Sequence, residues 1–365
     1  MLLTLQLHLL PSPDHAVQLR TTMARFNAGA SWVASEAFRL HTANKIALQK
    51  TVYYPLRERF GLSAQMAVRA IAQACEAYRR NKAIQPVFRP DAAMPYDQRL
   101  LSFKGLDRVS LLTLGGRILV PLIMGRYQRE RCTAAARQSD LVRRQDGQWF
   151  LLVTIDVPDG TPMPTTDFLG VDLGIVSLAH DSDDTPHTGD AVEKVRRRHT
   201  KQRRDVQRRN TRGARKKLRR LARKESRFRR HVNHEISTQI VQTAQDTQRG
   251  IGVEDLTHIR TRTTVRRSQR HRQGGWAFAQ LRGFLEYKAR LAGVPVVAVD
   301  ARNTSRTCSR CGHCEKANRK SQAEFCCRQC HLSIHADFNA ALNIAFLAQG
   351  AHVDRPQNCQ LVRAS

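Results

Sequence analysis

Six of the nine cysteines fall between Cys308 and Cys330, and no other feature constrains the fold of this chain so tightly. Two residues separate Cys308 from Cys311, two separate Cys327 from Cys330, and fifteen lie between the pairs. Each C-x-x-C can close a tight knuckle that offers two thiolates to one tetrahedral ion, so a structural Zn²⁺ ribbon is expected. Cys314, Cys326, His313 and His331 are close enough in sequence to compete as ligands. The symmetric pairing favours Cys308, Cys311, Cys327 and Cys330. Four thiolates leave no open coordination position, so this ion folds a small module rather than catalysing a reaction. The odd cysteine total in a long basic chain argues against a disulfide framework.

The second constraint is charge. The 365 residues carry 61 Lys and Arg against 31 Asp and Glu, a net charge of +30. That length suggests two or three domains. A hydrophobic fraction of 41% suffices for a sizeable core and speaks against whole-chain disorder. A charge this high calls for a polyanionic partner, most plausibly nucleic acid. No stretch approaches the roughly 20 apolar residues that span a bilayer, which excludes an integral membrane protein. The opening MLLTLQLHLL has no basic region before it and no small-residue cleavage site after it, so it reads as a strand rather than an export signal. The expected compartment is therefore the cytoplasm. The charge is concentrated: Lys194 to Arg230 holds 20 basic residues and two acids, Asp205 and Glu225. This segment contains no Pro and is rich in helix formers. It reads as a helix or helical hairpin lying along phosphates, where contacts give affinity without sequence information, or more plainly as a solvated helical face or a disordered basic linker.

Elsewhere the pattern alternates between strands and helices. Leu3, Leu5, Leu7 and Leu9 share one face of a strand over 2–10. Pro11 and Pro13 end it, a helical pattern runs over 15–50, and another runs from Ser63 to Ala83. From 100 to 156 apolar runs and turns follow, including the Gly115-Gly116 reversal. The simplest organisation is a β-barrel-like module (1–11 and 91–160) interrupted by a helical insertion (12–90). After the linker PDGTPMPTTD come three apolar strands, FLGVDLGIVSLA, GIGVEDL and GVPVVAVD. Helices are expected over 276–291, with Trp276, Leu281, Phe284, Leu285 and Leu291 facing a core, and over Ala336–Leu347.

Two of these strands are interrupted by an acid, Asp172 in the first and Glu254 in the second, and Asp337 falls in the first turn of the last helix. A charge in a buried strand is costly unless it is paired or binds metal. For either acid alone, a strand-edge position reaching solvent or an Arg is the commoner explanation. Three acids on separate elements can instead meet at one sheet edge. Their mutual repulsion is relieved by divalent ions, and oxygen ligands suit Mg²⁺ or Mn²⁺. A pair of such ions clamps the attacking and leaving oxygens of a phosphodiester.

With these residues in view, the chain resembles the TnpB family of transposon-associated RNA-guided endonucleases, related to type V CRISPR effectors. The resemblance lies in FLGVDLGIVSLA, GIGVEDL, WAFAQLRGFLEYKARLAGVPVVAVD, NTSRTCSRCG, FCCRQC and DFNAALNIA, over roughly 165–347. It implies an α/β, RNase H-like RuvC nuclease domain (165–300 and 331–347, with the basic helical segment 191–232). A zinc ribbon (301–335) is inserted before the last acid, and a C-terminal tail (348–365) follows. The amino-terminal half would then be a wedge-type barrel with a helical recognition module. Asp172, Glu254 and Asp337 are implied as the Mg²⁺-binding catalytic triad, and Cys308, Cys311, Cys327 and Cys330 as the zinc ligands. The implied partners are a guide RNA from the transposon end and target double-stranded DNA, bound by a monomeric ribonucleoprotein in a prokaryotic cytoplasm and on the nucleoid. One departure is Ala336, where relatives commonly carry an Arg before the acid. Three other functions compete: a nuclease-inactive RNA-guided repressor, a strand transferase or transposition accessory factor, and a zinc-ribbon RNA-binding protein. The first is opposed by the intact acids. The second lacks a visible transposon-end-binding domain. The third leaves the placed carboxylates unexplained.

Overall fold

The computed structural model describes residues 1–79, 81, 83–132, 136–174, 177–255 and 278–353. It comprises two units, Met1–Pro158 and Asp159–Ser365.

In the first unit the leucine alternation at the amino terminus becomes β1 (Leu2–Leu9). It joins β2 (Met94–Tyr96), β3 (Leu101–Lys104), β4 (Arg108–Thr113), β5 (Gly116–Ile123), β6 (Ala136–Arg143) and β7 (Trp149–Asp156). The sheet order is β2-β6-β7-β1-β5-β4-β3, so the first strand sits at the centre, antiparallel to β5 and β7. Leu5, Leu7 and Leu9 point into the core, with Leu3 against its margin. The sheet curls until it is nearly closed. Tyr96 of β2, fully buried, donates its hydroxyl to the Leu112 carbonyl of β4 at 2.9 Å. The β4–β5 reversal needs glycine at Gly116, whose φ of 109° lies in the left-handed region.

Between β1 and β2 the chain forms α1 (Pro13–Arg39), α2 (Lys45–Phe60) and α3 (Ala64–Tyr78). The continuous helix expected over 15–50 is in fact two. His41 takes a left-handed φ of 51°, which ends α1, and Asn44 Oδ1 accepts from the Ile46 and Ala47 amides to start α2. The sequence signal for this break is short, confined to His41, Thr42 and Asn44 between longer helix-favouring runs. Ser12 and Ser63 cap α1 and α3 in the same way. A short helix, α4 (Arg126–Arg131), interrupts the region read as strands alone.

The second unit is built on β8 (Phe168–Asp172), β9 (Ser177–Asp181), β10 (Pro186–Thr188), β11 (Gly250–Glu254) and β12 (Val296–Val299), in the order β10-β9-β8-β11-β12. β8, β11 and β12 are parallel, and β9 runs antiparallel to β8. Parallel strands are normally covered on both faces, and these are. Leu169, Val171, Ile251 and Val253 meet α6 (Arg212–Asp246) and α7 (Phe278–Ala292) through Ile236, Ile240, Leu281 and Leu285. The alternate residues Phe168, Val297 and Val299 meet Ile344 and Ala348 of α8 (Ala336–Val353). A Cβ on Gly170 would lie 2.0 Å from the Ala341 carbonyl oxygen, so α8 rests directly on the strand backbone. Trp276, expected in the α7 core, lies outside the described residues, as does the tail from 354 with Cys359.

The basic segment folds as a hairpin of α5 (Asp190–Gln207) and α6. Part of its counter-charge is internal. Glu225 is buried, accepts from Arg203 Nη2 at 2.6 Å and lies 3.7 Å from His199. Two short strands, β13 (Glu324–Cys326) and β14 (Ser333–His335), form the ribbon hairpin. Among the described residues no helix is long and apolar enough to cross a membrane.

Candidate nuclease site and cysteine cluster

The parallel pairing of β8 with β11 brings two acids to one edge. Val171 is in register with Val253, so Asp172 and Glu254 end neighbouring strands at their carboxyl ends, where open α/β sheets place their ligands. Asp337 enters from the first turn of α8, whose partial positive charge favours an acid there. Burial pushes the Asp172 carboxyl up to about 8, and the nearby charges of Glu254 and Asp337 add to the rise, against Arg319 and the Leu173 amide. Glu254 is also raised, chiefly by burial, although a hydrogen bond from Thr304 Oγ1 at 2.5 Å and the charge of Arg319 oppose the rise. The three acids picked out in the sequence therefore share one electrostatic environment.

Several polar residues at this edge were not singled out in the sequence. Arg319 reaches from the ribbon to within 3.5 Å of Asp337 Oδ1. Its charge stands beside the acid that lacks a preceding Arg. Ala336 itself is fully buried in the cluster with Phe325 and Cys327. His180 of β9 is directly in register with Asp172. One ring nitrogen each of His180 and His335 lies within 4.8 Å of an Asp337 carboxylate oxygen and of the other. Isolated Arg, Thr and His residues carry no spacing signal. Only the cross-strand register and the ribbon hairpin reveal these.

The four cysteines of the paired C-x-x-C motifs converge. Cys308 Sγ is 3.5 Å from Cys330 Sγ and Cys311 Sγ is 3.6 Å from Cys327 Sγ. Thiolates around one tetrahedral ion with bonds of about 2.3 Å sit roughly 3.8 Å apart, so the set fits a single zinc-sized ion. The Gln329 and Cys330 amides each point at Cys327 Sγ from 3.4 Å, as a metal knuckle requires. Cys314 and Cys326, His313 and His331 are not in this group. The knuckle is stitched to α8. Asn339 Nδ2 and Asn343 Nδ2 donate to the Thr307 carbonyl, Asn343 also to that of Thr304, and Asn339 Oδ1 accepts from the Ser309 amide. Thr304 in turn holds Glu254, so ribbon and carboxylates form one hydrogen-bonded piece.

Comparison with known proteins agrees with this layout. A family described as probable transposase (OrfB, IS605) matches residues 151–260, and the Cas12f1-like TNB domain matches residues 278–344. The CRISPR-associated endodeoxyribonuclease Cas12f1 of Sulfoacidibacillus thermotolerans is 32% identical over 54% of this chain and 50% of its own length. InsQ of Escherichia coli K12 is 26% identical over 72% of this chain and 70% of its own. A TnpB-like protein of Methanocaldococcus jannaschii is 32% identical over 36% and 47%. The match to the first and third thus spans about half the length of each relative. A solved Cas12f1–sgRNA–target DNA complex superposes with a TM-score of 0.60 at 15% identity, covering 90% of this chain and 82% of that one, which shows a shared fold. Over its acid-bearing strands the chain is thus similar to the probable transposase family (OrfB, IS605), and over its cysteine cluster to the Cas12f1-like TNB domain, with TnpB-like and Cas12f proteins among its relatives.

Proposed function

We propose that this protein is an RNA-guided DNA endonuclease whose second unit is an RNase H-like RuvC domain, cutting phosphodiester bonds at Asp172, Glu254 and Asp337. The observation that carries this reading is the convergence of three acids at the carboxyl ends of β8 and β11 and the start of α8, with Asp172 raised by burial and further by the charges of the other two. Such a site demands positive charge. The carboxylates suit Mg²⁺ or Mn²⁺, which when bound supply an activated water and stabilise the leaving 3′ oxygen. The chain's own residues do the positioning. Thr304 orients Glu254, the α8 amino terminus sets Asp337, and Arg319 offers a guanidinium to the scissile phosphate beside Asp337.

Cys308, Cys311, Cys327 and Cys330 are the proposed Zn²⁺ ligands, with a folding role. The hairpin of α5 and α6 supplies the phosphate-binding surface for RNA, DNA or both. Cas12f1 is named an endodeoxyribonuclease and its solved complex holds guide RNA and target DNA, which supports the same partners here. Base pairing by the guide would read the sequence while the protein holds backbone and shape.

The test is to co-express the chain with its flanking DNA, sequence the RNA that copurifies, and challenge the complex with matched DNA and Mg²⁺. A discrete RNA with guide-dependent cutting, abolished by Asp172→Ala without loss of RNA, is the expected result. Cutting that survives Asp172→Ala would sink the catalytic assignment. Retained DNA binding with no cutting in the unaltered chain would turn the protein into a repressor.

A further inference from the structure

We propose that His180, His335 and Asp337 form a second metal site, selective for a divalent transition ion such as Zn²⁺, Ni²⁺ or Co²⁺ and distinct from the cysteine cluster. His180 is the anchor. Its side chain is 5% exposed, and its Nε2 lies 2.9 Å from Asp184 Oδ1. Its Nδ1 is buried with no hydrogen-bond partner. A carboxylate that accepts from one ring nitrogen fixes the tautomer and leaves a lone pair on the other, which is how metal-binding histidines are commonly oriented. An orphaned ring nitrogen in a buried polar site otherwise costs stability.

The other two ligands come from the turn into α8. His335 stacks on His180 with ring centroids 5.2 Å apart and planes 18° from parallel. It is exposed, which gives an ion a route in and the ring freedom to adjust. Its Nδ1 holds only a 3.3 Å hydrogen bond from the Asp337 amide. One ring nitrogen from each histidine and one Asp337 carboxylate oxygen lie within 4.8 Å of one another. Ligands of a tetrahedral ion with bonds of about 2.0–2.1 Å sit roughly 3.4 Å apart, so a small rotation of His335 closes the set. Two imidazoles and one carboxylate suit borderline ions and disfavour Mg²⁺, which prefers oxygen.

Binding here does not depend on the nuclease reading. One consequence does rest on it: because Asp337 belongs to both donor sets, an ion on the histidines competes with Mg²⁺ for that oxygen and slows cutting.

The experiment uses the full chain with the cysteine cluster already loaded with zinc, titrated with Ni²⁺ by calorimetry near neutral pH. The expected result is one Ni²⁺ bound per chain. His335→Ala, at an exposed position, should bind at least tenfold more weakly, with its circular dichroism unchanged. Asp184→Asn, which touches only the supporting carboxylate, should lose about 10–100-fold. Asp172→Asn should keep the Ni²⁺. Binding unchanged in both His335→Ala and Asp184→Asn would overturn the site, as would binding lost in Asp172→Asn but kept in His335→Ala, which puts the ion on the carboxylates. If Ni²⁺ binding follows the histidines while DNA cutting survives Asp172→Ala, the metal site stands and the nuclease assignment falls.

Discussion

At the scale of the residue, Asp172 carries an electrostatic cost that a bound cation would remove. Its carboxyl is held near 8, above the ordinary 3.8, so the folded chain keeps a proton that the unfolded chain releases. The sign follows: its contribution favours folding below about pH 4 and is lost as pH rises towards 8. Asp172→Asn should therefore raise the melting temperature of the ion-free protein at pH 8, by about 2–4 °C for each kcal/mol relieved. Mg²⁺ should stabilise the unaltered chain and leave the variant unmoved. A variant that melts lower and still responds to Mg²⁺ would contradict the shared-charge picture. His234 behaves in the opposite sense. Burial, then Lys288, Arg230 and His231, push its imidazole down to about 4 while it stacks on Phe284 at 3.9 Å. Its neutral form stabilises the fold above about pH 6.5, and that support is lost as pH falls towards 4. His234→Phe keeps the stack and removes the proton site, so urea melts at pH 7 and pH 5 should differ less than in the parent. The two kinds of residue were not equally legible. Asp172 and Glu254 stood out because a charge interrupts an apolar strand. His234 sits in a polar stretch of helix, where only the packed partner gives it meaning.

At the scale of the element, β8 shows how a sequence pattern becomes a platform. The apolar run over Phe168–Asp172 foretold a buried strand, and the glycine at 170 is what allows α8 to rest on it. Gly170→Ala drives a Cβ into the Ala341 carbonyl, so the second unit should unfold at clearly lower urea, and Asp337 should move with α8. Unchanged stability would mean that α8 slides to accommodate the methyl. The basic hairpin was legible as helix from composition, but its internal anchor was not. Glu225 reads as a stray acid in a basic run until α5 folds against α6 and brings Arg203 to it. The split between α1 and α2 was equally hidden, because one left-handed residue and one Asn cap decide it. If the hairpin binds phosphates, replacing the exposed Lys216, Lys217 and Arg220 with Gln should lower affinity for unrelated nucleic acids alike. It should also flatten the slope of log affinity against log salt by about one for each phosphate no longer neutralised. Weakening confined to one sequence would point to base reading instead.

For the whole molecule, a charge of +30 calls for a polyanionic counterpart, and under the proposed function nucleic acid would supply that part of the electrostatic balance. The fold class was readable because hydrophobic period and motif order survive in a single sequence. The barrel-like character of the first sheet was read from its strand layout, but the side chain that joins its two ends, Tyr96 on the Leu112 carbonyl, was not, because that depends on which strands meet. Removing zinc, by Cys308→Ser or by a thiol-directed chelator, should loosen the turn at 304–309 as well as the ribbon hairpin, and amide exchange at Thr304 and Thr307 would report it. The stitching by Asn339 and Asn343 has a consequence for how such a protein would fail with time. Under the proposed function, withdrawal of an ion from the carboxylates would be a fast, fully reversible pause. Withdrawal of an ion from the thiolates would free Thr304, and with it the orientation of Glu254, so recovery would wait for a piece of the protein to refold. A single chelator should thus produce two losses of activity with different clocks, and only the first should be cured at once by adding Mg²⁺.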